Sequence, residues 1–165
     1  TVLLDLTDVI LNEGKIVRYE FIPEICTLSY RFGDFRITDR QTGILEIENK
    51  GEQKLSVSGE LMLEIEIPCA RCLEPVRYGL MIRPELEIDL RDNDYIDGYY
   101  LDVDQLIHDE ALLVWPERVL CHSECRGLCV RCGQNLNKGA CSCTGTDLDP
   151  RMAKVLDIFS NYKEV

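Results

Sequence analysis

The sequence predicts an α+β protein, mainly antiparallel sheet, with a long hairpin, one core helix, a C-terminal cysteine-knuckle segment and a short terminal helix. Three observations carry this reading. Two long stretches alternate apolar and polar residues with a period of two, one later stretch has helical spacing, and six of the nine cysteines crowd into Cys121 to Cys143.

The elements follow in chain order. Phe35 to Thr38 suggests a strand, and Leu45 and Ile47, separated by Glu46 after the Thr42-Gly43 break, suggest another. In QKLSVSGELMLEIEIP the odd positions Leu55, Val57, Leu61, Leu63, Ile65 and Ile67 are apolar, with Ser56, Ser58, Glu60, Glu64 and Glu66 between them. A strand with one wet face has this pattern, because successive side chains point to opposite sides. After CARCLE the alternation resumes at Val76, Tyr78, Leu80, Ile82, Leu86, Ile88 and Leu90, so two strands meet at a cysteine-bearing turn. From about 102 to 115 the period changes: Asp102 with Gln105 forms a capping box, and Val103, Leu106, Ile107, Ala111 and Val114 make an apolar stripe that Trp115-Pro116 ends. Glu110 lies within that stripe and requires a partner if buried; a backbone donor at a chain crossing is the expected one. Asp149 as N-cap and Pro150 as first helical residue open the terminal helix, through about Asn161.

A chain of 165 residues with 45% hydrophobic content is long enough for one core and does not need cross-links to fold. TVLLDLTDVILNEGK is neither a basic start nor a long apolar run, and no eighteen apolar residues come together, so the expected protein is soluble and cytoplasmic, with no membrane partner. In a reducing compartment, clustered cysteines more often bind metal than form disulfides. The expected organisation is a β-rich domain over 1–116 and a cysteine-rich segment over 117–165 docked on it as one unit.

The net charge of −12 argues against coating nucleic acid through the overall field. It is uneven: ten acids between Glu85 and Glu110 face Arg91 alone. That stretch reads either as a solvated loop or, with Asp92, Asp94 and Asp97 as candidate contacts, as a surface for a basic partner. Arg126, Arg131 and Lys138 form a compact positive patch beside the cysteines; they read as charge compensation or as phosphate contacts.

Cysteines at C-x-x-C spacing grip one metal ion from a tight turn, and a structural zinc takes four such ligands in a tetrahedron. The available pairs are Cys69/Cys72, Cys121/Cys125, Cys129/Cys132 and Cys141/Cys143, eight ligands for two sites, with Cys26 left over as an expected core thiol. Gly133 suits the knuckle of Cys129 and Cys132, and the following C-x-C pair complements it, so Cys129, Cys132, Cys141 and Cys143 form one expected site. Cys69, Cys72, Cys121 and Cys125 form the other. Spacing alone leaves an exchange of partners among the pairs open, and His122 is an alternative ligand beside Cys121. The chain therefore reads as a zinc-knuckle protein with two Zn2+ ions.

No catalytic motif competes. The two histidines, His108 and His122, lie in no recognised nucleophile or metalloprotease pattern, and four thiolates per zinc leave no position for water. A redox role for Cys69-Ala70-Arg71-Cys72 is weakened by its place between strands, since redox C-x-x-C pairs open helices.

CARCLEPV at 69–76, DEALLVWPERVLC at 109–121, CRGLCVRCGQNLN at 125–137, and CSC followed by DPRMAKVL at 149–156 resemble the YceD family, the large ribosomal RNA subunit accumulation proteins. The resemblance covers roughly residues 60 to 160 and places Glu110 at the family's helix glutamate. It implies a role in 23S rRNA accumulation and large-subunit assembly, in bacteria and chloroplasts, with a large-subunit precursor, its rRNA or a small basic ribosomal protein as partner. Some members keep only the first C-x-x-C and an equivalent of Cys121 and Cys125, which supports pairing these four. Two readings follow: a non-enzymatic zinc-binding assembly factor, or a zinc- or thiol-dependent enzyme acting on RNA or a redox partner.

Overall fold

From the N-terminus the elements are β1 (Leu3–Asp5), α1 (Thr7–Leu11), β2 (Ile16–Phe21), β3 (Thr27–Tyr30), β4 (Gly33–Arg40), β5 (Gly43–Gly51), β6 (Lys54–Pro68), β7 (Pro75–Ile82), β8 (Glu85–Asp89), β9 (Ile96–Asp97), β10 (Tyr100–Asp102) and α2 (Val103–Leu113). The structure is a computed structural model that describes residues 1–143, so the helix expected over 149–161 lies outside the described residues. The chain divides into two compact units, Thr1–Cys125 and a second beginning at Arg126. All the named elements belong to the first.

A seven-stranded sheet runs β2-β5-β6-β4-β3, with β7 and β8 also paired to β6; a three-stranded sheet runs β1-β10-β9. Every strand pairing is antiparallel. The fifteen-residue β6 organises the larger sheet. On one edge it pairs with β8 from Lys54↔Asp89 to Ser58↔Glu85, and with β7 from Leu61↔Ile82 to Pro68↔Pro75. On the other edge it pairs with β5 over Lys54–Glu60 and with β4 over Leu63–Ile65.

The odd positions of β6 are buried, including Leu55, Leu63 and Ile65 at 0% exposure, and they meet Leu80, Ile82 and Ile88 in the core. Each such aliphatic residue contributes about 1.5–3 kcal/mol when fully buried. The alternation from Val76 to Leu90 is not one strand. Arg83-Pro84 interrupts it, because proline has no amide to give the ladder, and the Pro84 carbonyl instead accepts from Gly59 N at 3.1 Å. Gly59 has no latitude: a Cβ there would lie 2.1 Å from the Ile44 carbonyl oxygen and 2.8 Å from Leu45 Cδ2.

Helix α2 starts as its capping pattern requires, with the Asp102 side chain accepting from Gln105 N at 3.0 Å. It buries Val103, Leu106, Ile107 and Ala111, and packs on β7. It ends at Leu113, two residues short of the expected limit, and Val114 becomes an exposed cap residue outside the stripe. Asp104 is buried on the helix and accepts from Glu24 N at 3.1 Å and Val2 N at 3.2 Å, tying two distant segments together. Asn49 performs the same service for α1, donating to the Val9 and Ile10 carbonyls at 3.0 Å each and accepting from Gly51 N at 2.8 Å.

Glu110 is half-buried and, among the described residues, meets no backbone donor or cation. Burial and then the neighbouring Asp109 carboxylate raise its pKa. Cys26 is exposed rather than a core thiol: its Sγ donates to the Glu24 carbonyl at 3.3 Å and accepts from Arg40 Nη2 at 3.3 Å. Cys26 sits just ahead of β3, whose first pair with β4 is Thr27↔Arg36, and its carbonyl accepts from Ile37 N at 2.9 Å.

Two outcomes test this account. Gly59→Ala should destabilise the protein by about 3 kcal/mol in urea titrations, because its clash is with backbone rather than a movable side-chain tip; wild-type stability would mean β6 is not held in this register. A raised carboxyl pKa opposes folding once the pH exceeds the folded-state value and costs nothing below the unfolded-state value. Glu110→Gln should therefore raise the melting temperature at about pH 7 and barely change it at about pH 4; equal shifts at both would place the effect elsewhere.

Candidate metal centre

The turn from Cys69 to Glu74 closes the end of β6 onto the start of β7. Cys69 N donates to the Glu74 carbonyl at 2.8 Å and Leu73 N to the Cys69 carbonyl at 3.0 Å. Leu73 adopts φ 61°, a left-handed conformation that costs a branched residue energy, and its side chain is 63% exposed. Segment 119–125 is laced to this turn. Ala70 N donates to the Val119 carbonyl at 2.8 Å, Cys121 N to Cys69 Sγ at 3.3 Å, and Arg71 Nη1 to the Cys125 carbonyl at 2.8 Å.

These contacts bring Cys69, Cys72, Cys121 and Cys125 together, all four sulfurs lying within 4.8 Å of one another. Cys69, Cys72 and Cys125 are buried and Cys121 is exposed. Sγ–Sγ separations are 3.8 Å for Cys69–Cys125 and 3.7 Å for Cys72–Cys121. A disulfide needs about 2.05 Å, whereas Zn–S bonds of about 2.3 Å set the edges of an S4 tetrahedron at about 3.8 Å. The observed spacing fits a metal of that size. His122 does not join the four: its Nδ1 lies 3.1 Å from Cys121 Sγ, where it hydrogen-bonds to a sulfur already in the cluster.

The second unit contains the same device. Cys129 N donates to the Gln134 carbonyl at 2.8 Å and Gly133 N to the Cys129 carbonyl at 2.9 Å, the same two bonds as in the first turn. Gly133, at φ 73°, takes the place of Leu73 without steric cost, and the bridge Leu128↔Asn135 takes the place of Pro68↔Pro75. Cys129, Cys132, Cys141 and Cys143 lie within 4.8 Å of one another, more open to solvent than the first set. In the structure Cys69/Cys72 lie with Cys121/Cys125, and Cys129/Cys132 with Cys141/Cys143.

The two clusters share an electrostatic pattern. Cys69 and Cys129 are each lowered to about 6, chiefly by backbone amides, that of Cys72 first in one and that of Cys132 first in the other. Cys121, though exposed as a residue, is pushed up to about 12 first by partial desolvation of its sulfur within the cluster and then by hydrogen bonds with the neighbouring thiols. Cys143 reaches about 12 through its hydrogen bond with Cys132 and then burial. Four thiolates therefore do not coexist unaided; a divalent cation at the centre would hold them ionised and release protons as it binds.

The remaining sequence candidates sit on surfaces. Arg126, Arg131 and Lys138 are exposed in the second unit, where Arg126 N donates to Asn137 Oδ1 at 2.8 Å. Asp92, Asp94 and Asp97 are exposed in the first. Asp94 and Asp97 line, with Tyr95 and Tyr100, an open cleft of about 460 Å³. Arg91 is bound by Asp89 at 2.9 and 2.6 Å and does not offset those acids. Sequence reasoning missed the structural use of Arg71 and the strained Leu73. The parallel of CARCLE with CVRCGQ carried a signal for both, since a glycine follows the second cysteine in only one of them. No helix among the described residues is long and apolar enough to cross a membrane.

The Arabidopsis thaliana protein named large ribosomal RNA subunit accumulation protein YCED homolog 1, chloroplastic, is 37% identical over 49 residues, a segment that is 30% of this chain and 15% of that protein. No solved structure matches. Residues 57–159, which include both cysteine sets and the strands that carry the first, match the family described as large ribosomal RNA subunit accumulation protein YceD, and the chain belongs to that family.

Proposed function

We propose that this chain is a non-enzymatic, zinc-binding factor of the cytoplasm that supports 23S rRNA accumulation and assembly of the large ribosomal subunit. The observation that carries the reading is the pair of complete four-sulfur sets on knuckles of identical hydrogen bonding, in a chain of a family named for rRNA accumulation. Zn2+ is the proposed ion at each, because four cysteine sulfurs at tetrahedral spacing suit it and a closed S4 site leaves no position for a reacting water. Such ions supply rigidity: at the first site the metal would fasten segment 119–125 to the end of the β6–β7 pair, and at the second it would hold a loop with few other constraints.

The rigid knuckles would serve docking. Arg126, Arg131 and Lys138 are the proposed rRNA contacts, positioning phosphates without reading bases. Asp92, Asp94 and Asp97 are the proposed contacts for a small basic ribosomal protein, supported by the surplus of acid around the tyrosine-lined cleft. The enzymatic alternative gains little from the low thiol of Cys69, which is buried.

Elemental analysis of protein purified without chelator should find about two zinc ions per chain; one or fewer would remove the two-site model. Cys69→Ser or Cys72→Ser should release one equivalent and Cys141→Ser the other. Because the high thiols must lose protons to bind, zinc retention should fall as the pH is lowered below neutrality.

Depletion of the protein should reduce mature large subunits relative to small ones, and charge reversal at Arg126, Arg131 and Lys138, with zinc content intact, should reproduce the shortage. Normal subunit profiles and normal 23S rRNA after depletion would overturn the assembly function. Neutralising Asp92, Asp94 and Asp97 together should slow association with a basic ribosomal protein, and raised salt should slow the wild type likewise, because exposed charges are screened beyond about 8 Å at physiological ionic strength.

A further inference from the structure

Away from the cysteine sites, the first unit holds a cleft of about 700 Å³ that the function proposed so far does not use. Binding sites for small molecules and short segments typically take about 300–1,000 Å³. Three parts of the chain wall it: the end of α1, the turn between β5 and β6, and residues between Leu90 and Tyr99. Each wall is fastened. Asn49 holds the last carbonyls of α1, Leu90 N donates to the Gln53 carbonyl at 2.8 Å, and Leu6 N donates to the Tyr99 carbonyl at 2.8 Å. The cleft is therefore preformed, and its apolar lining is open: Leu90 and Ile96 are half-buried, while Leu11 and Tyr99 are 64% and 43% exposed.

Two carboxylates complete the lining. Glu52 and Gln53 are the central residues of the β5–β6 turn at φ 53° and 63°, left-handed positions that asparagine and glycine usually fill. Glu13 lies over the preceding Gly51, where a Cβ would come 2.5 Å from its Oε1, so the glycine leaves room for this carboxylate beside the turn. Among the described residues neither Glu13 nor Glu52 makes a hydrogen bond or an ion pair. No lysine, arginine or histidine lines the cleft. The cations of the same segments are engaged elsewhere: Lys15 with Asp8, Lys50 with Glu48, Lys54 with Glu87 and Arg91 with Asp89. Each of those pairs cancels its own charge, and the two glutamates are left over.

We infer that this cleft receives an arginine side chain carried by an apolar-flanked segment of another polypeptide. The guanidinium would meet Glu13 and Glu52, and the stem and a neighbouring apolar side chain would cover Leu11, Ile96 and the Tyr99 ring. An inorganic cation would satisfy the carboxylates but leave the apolar lining open. A purely apolar ligand would desolvate two carboxylates without a partner, which is costly. Nucleic acid would bring phosphates to a wall that holds only negative charge. Arginine suits the lining better than lysine, because its planar, weakly hydrated guanidinium stacks on aromatic rings and its fork of donors serves several acceptors at once, here the two carboxylates and the Gln53 side-chain oxygen. The inference does not depend on the rRNA reading, and its residues are separate from Asp92, Asp94 and Asp97.

The test is calorimetric titration of the full chain with the blocked tripeptide leucyl-arginyl-leucine and with its citrulline counterpart, which keeps the shape of arginine without the charge. The arginine peptide should bind at least about tenfold more tightly than the citrulline one. Glu13→Gln/Glu52→Gln changes two exposed side chains and should leave the circular dichroism spectrum unchanged. It should weaken the arginine peptide by at least about tenfold and abolish the preference over citrulline. Leu11→Ser should weaken both peptides, because both use the apolar wall. No measurable binding of the arginine peptide would overturn the inference, as would equal affinity for the citrulline peptide or a double variant within about twofold of wild type. Spermine displacing the peptide at an equal or lower concentration would overturn the assignment to a polypeptide, since a free polyamine would then be the better occupant.

Discussion

Most of the first unit depends on the backbone of β6 being paired along both of its edges. One strand meets four others, and a shift of one residue would turn Leu55, Val57, Leu61, Leu63, Ile65 and Ile67 out of the core and their glutamates and serines in. The register is secured at Gly59, where the Ile44 carbonyl approaches too closely for any side chain and the Pro84 carbonyl takes the amide. The same register decides where Pro68 and Pro75 meet, and so where the first cysteine turn begins. The candidate metal centre is thus an extension of the longest strand of the sheet.

The two knuckles show how one local solution is supported by different surroundings. In the first, buried sulfurs, the Arg71 guanidinium and the Val119 carbonyl join the turn to a distant segment, so the strain of Leu73 is held by many contacts. In the second, the neighbours are polar and exposed, and glycine supplies the left-handed residue at no steric cost. Amides directed at Cys69 and Cys129 favour the thiolate, while the high values of Cys121 and Cys143 show that ionising a whole set requires positive charge at its centre. Both features suit a set that could hold a cation.

The surface distribution of charge complements this. Asp92, Asp94 and Asp97 lie exposed, the last two at a tyrosine-lined cleft, and Arg91 is retained by Asp89. A strong overall negative charge opposes approach to RNA and screening confines attraction to short range, so any such contact would need a local positive surface.

Sequence alone determined the features that local periodicity encodes. The alternation of 55–67 and of 76–90 marks β6, β7 and β8, the Asp102 cap marks the start of α2, and the spacing of eight cysteines marks two ligand sets, because each is repeated within a few residues along the chain. Short or weakly patterned elements such as α1, β1, β2, β9 and β10 were not legible, since a few residues carry too little period to separate from noise. Tertiary structure decided what depends on contacts between distant residues: which cysteine pairs meet, that Arg71 serves a backbone carbonyl, that Cys26 is outside the core, and that Glu110 is half-buried without a donor. It also brought Phe32 to Trp115 across more than eighty residues. The physical reason is the same in each case: spacing constrains a residue's neighbours along one element, while burial, pairing and charge compensation are set by whichever other elements the sheet register brings alongside.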